Sequence, residues 1–174
     1  MKFPSIEENP FRTRILGEEV VACNEHFRIV EDAEPVVPGH FLLFGMEEVP
    51  SLADSPTDSL CEFLERDFVS VCAGRRYILV ERGRGRFCSS FGHIIHAHGH
   101  LVPKDACRQI DLGSDVRAAD CLRDALKSVG STSEYLLAGE LGESFKVVSP
   151  LHNAPKRLAR RVIAGHSSWE TLRS

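Results

Sequence analysis

Three histidines at two-residue spacing, His96, His98 and His100, lie in the run Phe91-Gly92-His93-Ile94-Ile95-His96-Ala97-His98-Gly99-His100-Leu101-Val102-Pro103. Neutral imidazole is both a nucleophile and a good metal ligand, so such a row has two chemical uses. One is nucleophilic catalysis at phosphorus, in which the central ring attacks while its neighbours hold that ring and the phosphoryl oxygens. The other is metal ligation, because His-x-His on a strand supplies two ligands. A polar solvent face would account for one such histidine more readily than for three in register.

The row needs a strand to carry it. An Ile- and Val-rich run bounded by Gly92 and Pro103 predicts one. Alternation then sends Ile94, His96, His98, His100 and Val102 to one face and Ile95, Ala97, Gly99 and Leu101 to the other. Neighbouring histidine Cα atoms would lie roughly 6.5 Å apart.

Upstream, Glu19-Val20-Val21-Ala22-Cys23 and Phe27-Arg28-Ile29-Val30 read as a hairpin around Asn24-Glu25-His26, and His40-Phe41-Leu42-Leu43-Phe44 reads as a buried strand. Residues 1–14 read as a polar arm of low regularity. A helix is predicted from Ser55 as N-cap, with Pro56 in its first position, to Gly74, burying Leu60, Phe63, Leu64, Val71 and Cys72. Tyr77-Ile78-Leu79-Val80 is a fourth strand. It runs into a loop whose glycines could bring backbone N–H groups to an anion and whose Arg82, Arg84 and Arg86 add charge; the plain alternative is a solvated loop.

Beyond Pro103 a second helix is expected from Ser114-Asp115, with Val116, Ala119, Leu122, Leu126 and Val129 on one face. A hairpin follows around Gly142, formed by Glu134–Ala138 and Phe145–Val148. A last helix is expected from Pro155 to about Ala164, its Lys156, Arg157, Arg160 and Arg161 forming a solvated basic side.

The 174 residues suit one domain, and the 43% apolar and 26% charged fractions are those of an ordinary globular protein. A net charge of −4 argues against bulk affinity for nucleic acid. No window reads as a membrane span and Met1–Glu8 has no apolar signal core, so a cytoplasmic location is expected. The six cysteines are scattered without Cys-x-x-Cys and read as reduced thiols.

His96-Ala97-His98-Gly99-His100-Leu101-Val102 resembles the His-φ-His-φ-His-φ-φ pattern of the histidine triad (HIT) superfamily of nucleotide hydrolases and nucleotidyl transferases. Asp32-Ala33-Glu34-Pro35 and Pro38-Gly39-His40-Phe41-Leu42-Leu43 resemble that family's upstream segment. Glu81-Arg82-Gly83 stands where many members carry Asn-x-Gly or Glu-His-Gly. Arg160-Arg161-Val162-Ile163-Ala164 and Trp169 resemble the tail of a bacterial subgroup.

The resemblance implies an α+β fold, an antiparallel sheet with packed helices, in a single domain. Residues from about 15 to 103 would form the core, and those from about 104 to 174 a hairpin-helix extension. It implies a homodimer acting on a nucleotide or nucleotide conjugate, with no membrane partner. His98 would attack the α-phosphorus to give a nucleotidyl-histidine, while His96 and His100 orient it and donate hydrogen bonds. Nucleotide-binding roles fall on Asp32 at the ribose and on Phe27, Ile29, Glu81, Gly83, Ser89, Ser90 and His93. No cofactor or metal is implied. The structural zinc of some members needs an early Cys-x-x-Cys, and the stretch near Pro10-Phe11-Arg12-Thr13 has no cysteine.

Three positions depart from the pattern. Gly99 replaces an apolar residue, His93 stands where many members carry Ser or Thr, and Glu81 would put a carboxylate near substrate phosphate. Two other readings remain open. One is a metal-dependent hydrolase using the histidine row, with His40, His93 or Glu81 as further ligand. The other is a nucleotide-binding module without turnover, which the intact central histidine disfavours.

Overall fold

A computed structural model of the chain describes residues 19–84, 96–107, 110–113, 115–131, 133–151, 154–155 and 157–165. The strands are β1 (Val20–Cys23), β2 (Phe27–Glu31), β3 (Phe41–Gly45), β4 (Tyr77–Gly83), β5 (His98–Pro103), β6 (Arg117–Ala119), β7 (Tyr135–Glu140) and β8 (Phe145–Val148). They form one antiparallel sheet in the order β1-β2-β3-β5-β4-β7-β8-β6. With the helices packed against it, the fold is α+β.

The predicted first hairpin is present. Asn24 closes it, its Oδ1 accepting the N–H groups of His26 at 2.9 Å and Phe27 at 2.7 Å. Strand β5 pairs on one side with β3 and on the other with β4. The strands of the expected core and those of the expected extension belong to the same sheet, because β4 also pairs with β7.

Helix α1 runs through Thr57–Glu62, a π-helical turn at Phe63–Phe68 and a last turn at Val69–Val71. It buries Leu60, Phe63, Leu64 and Phe68 against Phe27, Ile29, Leu43, Leu79 and Leu101. Gly74, at φ +78°, stands just beyond its end, a conformation that favours glycine. The Ser55 cap is not formed. Pro56 takes the N-cap position, and the Ser55 hydroxyl donates to the Ser51 carbonyl at 3.3 Å because Ser55 closes the 3-10 turn Leu52–Asp54.

The second helix is shorter than its apolar spacing predicts. Residues 117–119 form β6 on the outer edge of β8, and helix α2 (Leu122–Ser128) begins only after the extended Cys121. Cross-strand pairing to β8 satisfies backbone groups along an otherwise open edge, which outweighs a helical pattern that rested on Val116 and Ala119. Helix α3 (Leu158–Ile163) also starts late, after Arg157 at φ +57°.

The two faces of the sheet are covered differently. Helices α1 and α2 pack on the face of Leu79, Leu101, Leu137 and Val147. On the opposite face, α3 buries Leu158, Ala159, Val162 and Ile163 against Val80, Val102, Leu136 and Val148. No helix among the described residues is long and apolar enough to cross a membrane.

Gly99 has a packing reason. A Cβ built there would lie 2.7 Å from Leu79 Cδ1 and 3.3 Å from Leu52 Cδ1. Gly99→Val is therefore expected to lower unfolding stability by about 1–3 kcal/mol through overpacking. Chemical denaturation with an unchanged m-value would check this, and a variant as stable as the parent would contradict the packing argument.

Candidate active site

Register decides which side chains meet. Leu42 pairs with Val30 and with His100, and His100 pairs with Val80, so all four share one face. Arg28, Phe44 and His98 form the next row along that face. Val30, Leu42 and Phe44 make a buried apolar floor beside the imidazoles. Phe44 stacks on His98, with ring centroids 6.3 Å apart at 29°, and lies 6.4 Å from His96.

The three histidines are not equivalent. His96 precedes β5 in a bend and is buried; its Nε2 lies 2.5 Å from the Gly45 carbonyl. His98 is half-buried, and its Nδ1 lies 2.8 Å from the His96 carbonyl. A carbonyl only accepts, so His96 is protonated on Nε2 and His98 on Nδ1. The lone pair of His98 therefore sits on Nε2, the nitrogen directed away from its own backbone. His100 is buried, its ring edge-to-face with His98 at 5.8 Å, and its Nδ1 meets Nε2 of His40 at 3.0 Å.

That contact begins a chain of buried polar groups. On the other edge of the His40 ring, Nδ1 accepts the Val36 N–H at 3.2 Å and lies 3.3 Å from Oδ2 of Asp32. Asp32 is held on both oxygens: Oδ1 accepts the Glu34 N–H at 3.0 Å, and Oδ2 accepts from Nη2 of Arg160 at 2.5 Å. Arg160 comes from α3, on the far side of the sequence, and also donates through Nη1 to the Glu34 carbonyl at 2.6 Å.

Burial lowers the basicity of every imidazole in this group. It pushes His40 down to about 4, with Asp32 opposing and Arg160 reinforcing the shift. His96 and His98 are lowered, and His100 is lowered well below the usual value, in each case chiefly by desolvation. All four rings are neutral at physiological pH, as a nucleophile requires.

Several expected ligand residues lie elsewhere. Phe27 and Ile29 are fully buried on the opposite face, against Phe63 and the rest of the α1 core, so they cannot line a site with His98. The residues of β2 on the imidazole face are Arg28 and Val30. Glu81 likewise lies under the sheet, where its carboxylate accepts the Leu52 N–H and the Tyr135 hydroxyl, each at 2.7 Å. Gly83 is on that same side, where a Cβ would overlap the Tyr135 ring. The carboxylate of Asp32 is on the imidazole face but has no exposed side-chain surface, so the expected ribose contact is closed in this structure. Ser89, Ser90 and His93 fall outside the described residues.

The arginines before the histidines are also committed. Arg82 pairs with Glu134 and donates to the Pro155 carbonyl at 2.8 Å. Arg84 forms a two-pronged pair with Asp54, at 2.8 and 2.6 Å. Neither is presented as an anion ligand, which corrects the phosphate-loop expectation for these two residues.

Among the described residues, the donor atoms close enough to hold a metal ion are those of Asp32, His40 and His100. The histidine row itself does not converge. His40, moreover, meets its two neighbours through opposite edges of the ring, as a hydrogen-bonded relay does, whereas a shared ion would need both on one side. The donor set therefore fits a relay better than a metal centre. Compared with models of known protein families the chain matches none, and no curated protein matches it.

Proposed function

We propose that the chain is a nucleotide-binding phosphohydrolase or nucleotidyl transferase of the histidine triad type, acting through a covalent nucleotidyl-His98 intermediate. The observation that carries this reading is the tautomer of His98. Its Nδ1 proton is held by the His96 carbonyl, so a neutral ring offers the Nε2 lone pair. The same arrangement holds the ring at a fixed angle before any substrate binds.

In the proposed reaction, Nε2 forms a bond to the α-phosphorus as the bond from phosphorus to the leaving group breaks. Water, or another acceptor, then attacks the phosphorus; the N–P bond breaks and the lone pair returns to Nε2. His96 contributes chiefly through its carbonyl, since its ring proton is directed to Gly45. Hydrogen bonding to a phosphoryl or leaving-group oxygen then falls to His100. Arg28, in the row of His98, adds positive charge on the face that an anionic substrate approaches, whereas the charge of Arg160 is offset by Asp32.

The reading is tested by incubating metal-stripped protein with nucleoside phosphoramidates, dinucleoside polyphosphates and nucleotide sugars. Nucleoside monophosphate release and intact mass are followed together. A nucleotidyl adduct mapping to His98 supports the proposal and identifies the leaving-group class. Activity that appears only on adding zinc or manganese, with no adduct, would replace it with metal-dependent hydrolysis.

A further inference from the structure

We propose that Arg160 is a positioning residue that fixes the tautomer of the His40–His100 pair, so that His100 presents an N–H to the site. Each of these neutral rings carries one proton, and a single contact decides where both protons sit. His40 Nδ1 faces two groups with opposite demands: the Val36 N–H, a donor at 3.2 Å, and Oδ2 of Asp32, an acceptor at 3.3 Å.

If Asp32 wins, His40 is protonated on Nδ1 and its Nε2 must accept from Nδ1–H of His100. His100 then shows a lone pair on Nε2, which repels a phosphoryl oxygen. If Val36 wins, His40 is protonated on Nε2 and donates to His100 Nδ1 across 3.0 Å. His100 then carries its proton on Nε2 and is a donor.

Arg160 tips this balance. Its Nη2 lies 2.5 Å from Oδ2, the same Asp32 oxygen that faces His40, while its Nη1 is anchored on the Glu34 carbonyl. The guanidinium offsets the carboxylate charge and takes up the lone pairs that would otherwise attract the Nδ1 proton. With the guanidinium in place Asp32 has no exposed side-chain surface, and a methionine at position 160 keeps apolar bulk over the carboxylate while offering it no donor. Removing Arg160 would leave a buried, uncompensated carboxylate beside the ring, whose cheapest new partner is the Nδ1 proton. The guanidinium keeps its place because Leu158, Ala159, Val162 and Ile163 seat α3 on the same sheet face as His100.

The tautomer assignment does not depend on the proposed function; only its catalytic use does. Long-range proton–nitrogen spectra of the 15N-histidine-labelled protein report ring tautomers directly. In the unmodified chain His100 is expected to be protonated on Nε2. Arg160→Met is expected to move that proton to Nδ1. Asp32→Asn combined with Arg160→Met removes the buried charge and, with the amide oxygen still accepting from the Glu34 N–H, turns an NH2 donor in place of an acceptor towards His40. It should return the original tautomer, which also guards against a single variant that folds poorly. An Nδ1–H tautomer in the unmodified chain, or a His100 signal indifferent to Arg160→Met, overturns the proposal, as does a double variant that stays switched. If the nucleotidyl reaction holds, Arg160→Met lowers kcat by about 10²-fold with little change in KM, and the double variant recovers part of the loss. A tautomer switch in a chain with no nucleotidyl activity would uphold the inference and remove only its catalytic use.

Discussion

His98→Ala is expected to lower turnover by about 10⁴-fold or more and to abolish the covalent adduct, while the unfolding midpoint changes little. The asymmetry follows from position. His98 is half-buried at the start of β5, between the rings of Phe44 and His100, so truncation removes a nucleophile without opening the core. The pH profile gives an independent check. A protonated ring cannot attack, and burial lowers the basicity of His98 below the usual value of 6.5. The rate should therefore rise with pH through a midpoint below 6.5 and remain level above neutrality. A midpoint above 6.5, or an adduct that survives in the alanine variant, would assign the chemistry to another group.

The largest effect on stability is expected at Glu81, and it depends on pH. Burial raises this carboxyl from about 4.5 to about 7 in the folded chain, against the stabilising hydrogen bonds from Leu52 and Tyr135. Between those values the native state retains a proton that the unfolded chain has released. The stabilising contribution is thus fully present below about 4.5 and is lost as pH rises towards 7. The change amounts to about 3 kcal/mol on the simplest linkage argument. Glu81→Gln cannot ionise, so its stability relative to the parent should increase by about that amount from pH 4.5 to pH 7.5. Denaturant titrations of both proteins across this range decide the matter, and parallel curves would show that Glu81 does not titrate in the folded state.

Strand parity explains much of what could be read from the sequence and what could not. The row of His98 and His100 was legible because both sides of the strand alternate cleanly from there, and Leu101 and Gly99 do face the helices. The same parity, counted from Leu79, places Glu81 under the sheet beside Tyr135. A family slot suggested a phosphate neighbour and led the other way. Phe27 and Ile29 fail for the same reason, since the alternating positions Arg28 and Val30 are the ones in register with Phe44 and Leu42.

The relay was not legible at all. Arg160 sits 128 residues from Asp32 and reads locally as one charge on a basic helix side. Only the path of β4 into β7, which extends the sheet beneath α3, brings it to the histidines. The first turns of the helix expected from Ser114 gave way to a similarly distant cause, the edge of β8. No local signal marks either outcome, because each is set by a pairing between remote segments.

With β4 covered by β7, the outermost strands among the described residues are β1, four residues long with an irregular register between Val20 and Ala22, and β6, three residues long. Foreign strands and fibrils grow on long, regular rows of unpaired backbone groups. An eight-stranded sheet would ordinarily invite such growth, yet here each margin offers only a few consecutive donors and acceptors. Among the described residues, margins this short are poor templates for a further strand.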